Sequence, residues 1–344
     1  MSAGNRVKYI DVARGIAILC IIIGHFGVYE VNRVVFTFHV PIFYIITGYF
    51  LSKKHEVKAF INDKIRTLLV PYIVTCIAMV ILSMLFALLL ERETVAEAAR
   101  HWSVASIYGS GVDYKEPFVI HKIGAIWFLL ASFFGSIFLR ISLEMPKKVR
   151  FLFVLGLFLV GYLTTIHCFW FPFSIQAGCC ATLFMYIGYL ARQSQEIYET
   201  FPNVVKGAGV VVAFMIWVLF IKNYDGFWLA ENYFGRGVID IFGSVCACYI
   251  VIIFSKFMER YCGILADVLA YFGKYSLIVL CVHIVEHNLF PWREIKEMIM
   301  SIGGTELIAN CIMAAIRLSF IFVVTTIFSK VKWITKLFSI KAAK

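Results

Sequence analysis

Four ionisable side chains stand inside the first two apolar stretches of this chain. They are Asp11, Arg14 and His25 in YIDVARGIAILCIIIGHF, and His39 in FTFHVPIFYIITGYFL. Ionisable groups are costly to place in hydrocarbon, so each is a functional-site candidate. At 100° per residue, Asp11, Arg14 and His25 fall within about 40° of one another on a single helix face. Arg14 and His25 lie roughly 16 Å apart along the axis, a polar stripe from the membrane edge into the apolar layer. Imidazole is the side chain best suited to moving protons near neutral pH, so His25 reads as a general base. The plainer alternative is a histidine that satisfies a neighbouring backbone group.

Asp11 and Arg14 read either as a juxtamembrane ion pair, with Arg14 snorkelling to the headgroups, or as an anion site at the mouth of a cavity. The loop KKHEVKAFINDKIRTLLVPY adds Lys64 and Arg66 on the same side of the membrane. Such a cluster can hold the phosphates of a nucleotide-like molecule; a solvated basic loop is equally ordinary. His39 stands just before Pro41, and Gly48 follows. Pro and Gly within a span free backbone groups that other protein or a water-filled cavity must satisfy. Further along, FGKYSLIVLCVHIVEH places His283, Glu286 and His287 on one helix face. His283-x-x-Glu286-His287 has the inverted zinc-protease form, and two histidines at i, i+4 can ligate zinc, but no convincing third ligand accompanies them and no metal is expected. The alternative turns His283 toward the same cavity as His25, with Glu286 paired to Arg317.

These groups have to be held by membrane helices. Hydrophobic residues make up 61% of the 344 and charged residues 15%, which excludes an ordinary soluble domain. The expected fold is an all-α integral membrane protein of about ten transmembrane helices, near residues 12–29, 34–51, 67–90, 124–142, 149–166, 174–191, 204–221, 236–256, 268–288 and 306–328. One polytopic domain, 1–344, is the economical reading, with a retained first span rather than a removed signal peptide. The net charge of +11 raises nucleic acid as a partner. Its distribution answers otherwise. Most basic residues, among them Arg6, Lys54 and the C-terminal Lys341 and Lys344, gather on one side, while Arg92 and a few more fall on the other. By the positive-inside rule both termini are cytoplasmic, and the charge reflects topology in a lipid bilayer rather than nucleic-acid binding. Trp127, Trp170, Trp217, Trp228 and Trp292 are expected in an outer aromatic belt, and HWSVASIYG in loop 91–123 at the interface. The ten cysteines include no C-x-x-C pair, so they read as buried free thiols.

The segments YIDVARGIAILCIIIGH, FTFHVPIFYIITGYFL, KIRTLLVPY, AIWFLLASFF and YFGKYSLIVLCVH, in this order and spacing, resemble the integral membrane acyltransferase-3 family, especially its branch similar to fucose 4-O-acetylases. The resemblance implies transfer of an acyl group, usually acetyl, from cytoplasmic acyl-CoA to an extracytoplasmic sugar hydroxyl at the cell membrane. It also implies His25 as the catalytic histidine and Arg14 as the donor-handling arginine. Asp11, His39, Lys64, Arg66, Trp127, Lys274, Ser276 and His283 fall within other shared motifs. Asp11, His39 and His283 are thereby expected on the catalytic side; Lys64, Arg66 and Lys274 are expected with acetyl-CoA, the acyl donor. Thr47 stands where the family often has Ser, Lys64 where Arg is common, and Tyr275 where Asn is frequent. The competing class is a proton-coupled transporter of a polar metabolite, using His25, His283, Glu286 and Arg317 as relay groups, but the inverted repeats that would favour it are not visible. Nothing in the sequence selects the acceptor glycan, the acyl length, direct transfer over an acyl-histidine, or the oligomeric state.

Overall fold

The computed structural model describes residues 7–53, 56–90, 93–303 and 305–339. Arg6, Lys54, Arg92, Lys341, Lys344 and both termini, on which part of the charge reading rests, lie outside them. The described chain is almost wholly helical.

Lys8–Gly24 (α1) leads into a short helix, Tyr29–Val35 (α2), and after a turn into Pro41–Phe50 (α3). The expected span 34–51 is therefore broken. Pro41 lacks an N–H and cannot extend α2, but it fits the first position of α3, where that hydrogen has no helical partner. Val57–Lys64 (α4) runs through a π-turn at Ile65–Leu69 into Val70–Leu90 (α5), one rod of 34 residues. Val95–Tyr108 (α6) starts at a reciprocal cap between Thr94 and Glu97. The interfacial stretch of loop 91–123 is this helix, and it is partly internal: Ala98, Trp102, Ala105 and Tyr108 are buried. Trp127–Ser142 (α7), Lys147–His167 (α8), Ile175–Gln193 (α9), Gln195–Thr200 (α10) and Asn203–Lys222 (α11) follow. A two-stranded hairpin, Phe227–Trp228 (β1) with Tyr233–Phe234 (β2), precedes Val238–Tyr261 (α12). Gly263–Lys274 (α13) and Ser276–Leu289 (α14) form a pair bent by 73°. Trp292–Ser301 (α15), Glu306–Lys330 (α16) and Lys332–Leu337 (α17) complete the described chain.

Among the described residues, six helices are long and apolar enough to cross a bilayer, or seven if α13 and α14 make one broken span. Those containing α5, α8, α11 and α16 bury only 28, 17, 11 and 22% of their most apolar stretch, so they present most of their surface outward, as lipid-facing helices do. The shorter apolar helices α3 and α7 have 10 and 16 residues, and α1 has 17. At 1.5 Å per residue, α3 reaches about 15 Å, half the hydrocarbon thickness. These short helices are largely buried, and a helix walled by protein need not match the bilayer.

Two pairs of glycines bring the central helices into backbone contact. A Cβ on Gly15 would lie 1.9 Å from the carbonyl oxygen of Leu269, and one on Gly273 1.7 Å from that of Asp11, which seats α1 on α13. The same reciprocity links Gly48 to Met185 (1.7 Å) and Gly188 to Ile45 (1.9 Å), seating α3 on α9. Small residues are what membrane helices use to approach this closely. Two of the five belt tryptophans are internal instead: Trp170 is buried against Tyr114, rings 5.4 Å apart, and Trp127 is buried at the start of α7. The cysteines are all free, as read from their spacing, but not all are buried: Cys168 and Cys311 are exposed, and Cys20 and Cys262 are partly covered.

Candidate active site

α1 carries two cavities. Toward its C-terminal end, His25, His39 and His287 line a space of about 370 Å³, together with Asn32, Asp113, Trp127 and Trp228. Toward its start, Arg14 and Lys64 line a smaller one of about 160 Å³, with Thr47, Ser132, Ser136 and Ser276. Ile21, Phe128 and Leu280 line both, so a single layer of apolar side chains separates the two. Phe128 is held in that layer by Tyr44, stacked at 5.0 Å, and by Phe43 at 5.6 Å. The polar stripe foreseen on α1 is therefore real for Arg14 and His25, but divided.

Behind His25 lies a buried chain of polar groups. His25 Nδ1 is 2.7 Å from the Ile21 carbonyl oxygen and 3.2 Å from His283 Nε2. His283 Nδ1 is 2.7 Å from Glu286 Oε1, and Arg317 reaches both carboxylate oxygens at 3.1 and 2.9 Å. Arg317 also lies 2.9 Å from His287 Nδ1 and packs over the rings of Phe26 and Trp292. His283 and Glu286 are fully buried and Arg317 nearly so, at 4% exposure.

The neutral tautomers can be assigned from these partners, because a carbonyl or carboxylate only accepts and a guanidinium only donates. His25 Nδ1–H donates to Ile21 and is shared with His283 Nε2, which leaves His25 Nε2 with its lone pair on a ring that lines the cavity. His283 Nδ1–H donates to Glu286. His287 Nδ1 accepts from Arg317, so its proton is on Nε2. His39 Nδ1–H donates to the Val35 carbonyl at 2.8 Å, which leaves its Nε2 as an acceptor. The larger cavity thus offers two imidazole acceptors, His25 and His39, and one imidazole donor, His287. A base beside a donor is the minimum equipment for acyl transfer.

A family model for an acyltransferase domain matches residues 7–333, nearly the whole chain. The chain belongs to the acyltransferase-3 family. No curated protein and no solved structure matches it significantly.

In this membrane acyltransferase the other site residues expected from sequence fall in different places. Arg14 and Lys64 share the smaller cavity, and the π-turn that follows Lys64 keeps Leu68 on the same wall. Arg66 is exposed and lines neither cavity. Asp11 is buried at the seam with α13, where its carbonyl meets Gly273, and it too lines neither. Lys274 ends α13 with its ammonium 5.1 Å from the Tyr275 ring centre; Ser276, past the bend, reaches the smaller cavity in its stead. His283 does not line the cavity of His25 but supports His25 from behind, and His287, one turn on, takes the cavity face. The pairing of Glu286 with Arg317 is as expected. Among the described residues no group of three His, Cys, Asp or Glu side chains could hold a metal ion, and the His283-x-x-Glu286-His287 motif is engaged with Arg317 and His25. Sequence reasoning missed the loop wall of the larger cavity, made by Gly111–Asp113, Lys122 and the first strand and turn of the hairpin, Phe227–Ala230. Loops carry no periodicity, so the only signal was the aromatic and polar mix of FWLAEN.

Proposed function

We propose that this acyltransferase moves an acyl group, acetyl in the first instance, from cytoplasmic acyl-CoA to a hydroxyl of an extracytoplasmic sugar or glycan, in the manner of the fucose 4-O-acetylase-like branch. The supporting observation is the division of α1 between a cavity with two cations and a cavity with three imidazoles, separated only by Ile21, Phe128 and Leu280. In this reading both termini are cytoplasmic, α1, α3 and α7 count with the longer helices toward ten spans, and the chain resides in the cell membrane.

Arg14 and Lys64 hold donor phosphates by charge-assisted hydrogen bonds. The pantetheine arm runs past Ser132, Ser136 and Ser276; the Ser132 hydroxyl is buried with no protein partner, ready for an amide of that arm. The thioester passes the apolar layer to reach His25. The acceptor lies in the larger cavity, its ring against Trp127 and Trp228 and its hydroxyls toward Asn32, His39, Asp113 and Asn288. Its hydroxyl oxygen attacks the thioester carbonyl as His25 Nε2 takes the proton, and His287 Nε2–H donates to the oxyanion. Collapse restores the carbonyl and breaks the C–S bond, and the departing CoA thiolate takes the proton back from His25. The positive charge on His25 between these steps is shared through His283 toward the Glu286 carboxylate.

The test is radiolabel transfer from acetyl-CoA by purified protein in nanodiscs with envelope glycans, comparing wild type with His25→Ala. Label on glycan from wild type alone supports the proposal. Equal transfer by the variant removes His25 from the mechanism. No glycan label and no CoA release, across several donors and acceptors, would return the transporter reading to first place.

A further inference from the structure

A third cavity plays no part in the acyl-transfer reading. It measures about 420 Å³ and lies between α5, α14, α16 and α17. Its walls include Val74, Ala78, Val285, Phe320 and Val324. The hydroxyl of Thr75, beside them, is turned onto the Pro71 carbonyl at 2.8 Å. Water needs two or more polar partners to occupy such a space stably, and these walls do not supply them. An apolar ligand fits where water does not.

The end of the cavity identifies what that ligand carries. α17 presents Ile334 and Leu337 to the cavity, with Phe338 just beyond its end, and turns Lys332 and Lys336 outward one helical turn apart. Lys330, the last residue of α16, is exposed beside them, and Trp333 lines the cavity while remaining 68% exposed. A short helix with one apolar face, one basic face and an exposed tryptophan is built for the boundary between acyl chains and headgroups. Lysines at that depth attract anionic headgroups.

We propose that this cavity binds one acyl chain of an anionic phospholipid, whose headgroup phosphate rests on Lys330, Lys332 and Lys336. The site abuts the catalytic machinery. Ile278, Cys281, Val282 and Val285 form the cavity face of α14, while His283, Glu286 and His287 on the same helix make the network behind His25. The bound chain is the backing of that half-helix, so its loss loosens the support of His25. This coupling rests on the acyl-transfer reading; the binding does not.

The experiment reconstitutes the protein with phosphatidylglycerol and phosphatidylcholine in equal amounts, dilutes it into detergent, and counts retained lipid by native mass spectrometry. Wild type is expected to retain one phospholipid per chain, with phosphatidylglycerol favoured about fivefold or more. Ala78→Phe, on α5 and away from the catalytic helix, fills the cavity and abolishes retention at an unchanged melting temperature. Lys332→Glu with Lys336→Glu, both exposed and therefore tolerant, keeps a retained lipid but loses the headgroup preference. Equal retention of the two lipids by wild type, or undiminished retention by folded Ala78→Phe, overturns the site. Should acyl transfer be absent while lipid is retained as described, the proposed function falls and the lipid site stands.

Discussion

Glu286→Gln removes one charge from the centre of the polar network and almost nothing else. Glutamine keeps the length and one accepting oxygen, so His283 Nδ1–H retains a partner, but Arg317 loses the counter-charge it reaches at 2.9 and 3.1 Å. Arg317 is only 4% exposed, so water cannot take the place of the carboxylate. Breaking one partner of a buried ion pair costs about 3–5 kcal/mol, and the conserved shape favours the lower end. The catalytic loss has a separate origin. In the proposed mechanism the charge on His25 is stabilised through His283 by an anion, and a hydrogen bond to an ion is stronger than one to an amide by about 1–1.5 kcal/mol. That predicts a kcat lower by roughly 5- to 13-fold. KM for acyl-CoA is expected to hold, because Arg14 and Lys64 lie across the apolar layer. CoA thiol release at saturating donor, with a melting curve in the same detergent, separates the two effects. A kcat per folded molecule within about threefold of wild type would refute the relay through His283, even with a lower melting temperature.

Other expectations follow from the packing. Gly48→Ala drives a methyl to 1.7 Å from the Met185 carbonyl and should abolish a monodisperse peak in fluorescence-detected chromatography, whereas Gly156→Ala, with nothing within 4 Å, should be neutral or stabilising by about 0.5–1 kcal/mol. Phe128→Ala widens the layer between the cavities, and butyryl- or hexanoyl-CoA should gain on acetyl-CoA in kcat/KM; an unchanged donor profile would place chain selection elsewhere. Outside the spans, His101 stacks on His121 at 4.1 Å, and burial, reinforced by His121, holds its imidazole below the usual histidine range. The unfolded chain then takes up that proton first, so stability is full above about pH 6.5 and falls as pH drops below it. His101→Gln should flatten the decline in melting temperature between about pH 7.5 and 5.5; an identical slope would assign the acid sensitivity to other groups.

The sequence made the helical membrane class plain because apolar blocks are a property of composition. Equal spans were the wrong picture where Pro41 divides one block and where α1 and α7 are shielded by neighbours rather than by lipid. That Arg14 and His25 line cavities was legible because a charge in an apolar helix has few uses, that Lys64 does so only because its basic loop lies on the same side as Arg14, and the partner of Arg317 because few buried acids were available. Asp11, Arg66 and Lys274 share motifs with residues that line cavities, yet packing takes them away: Asp11 is closed in at the seam with α13, Arg66 faces outward, and Lys274 stands before the bend that Ser276 follows. His283 and His287 lie on one helical face by spacing, and only packing against α1 and α16 decides which reaches the cavity and which stands behind. The hairpin and loop walls belong to tertiary structure alone.

The layer of Ile21, Phe128 and Leu280 also has an electrical consequence. In the proposed orientation, with the two polar cavities opening to opposite sides, the potential across a bilayer no longer falls over the full hydrocarbon thickness but concentrates across these three side chains. His25 then sits at one plate of a very thin capacitor, with Arg14 and Lys64 at the other and three apolar side chains as the insulator.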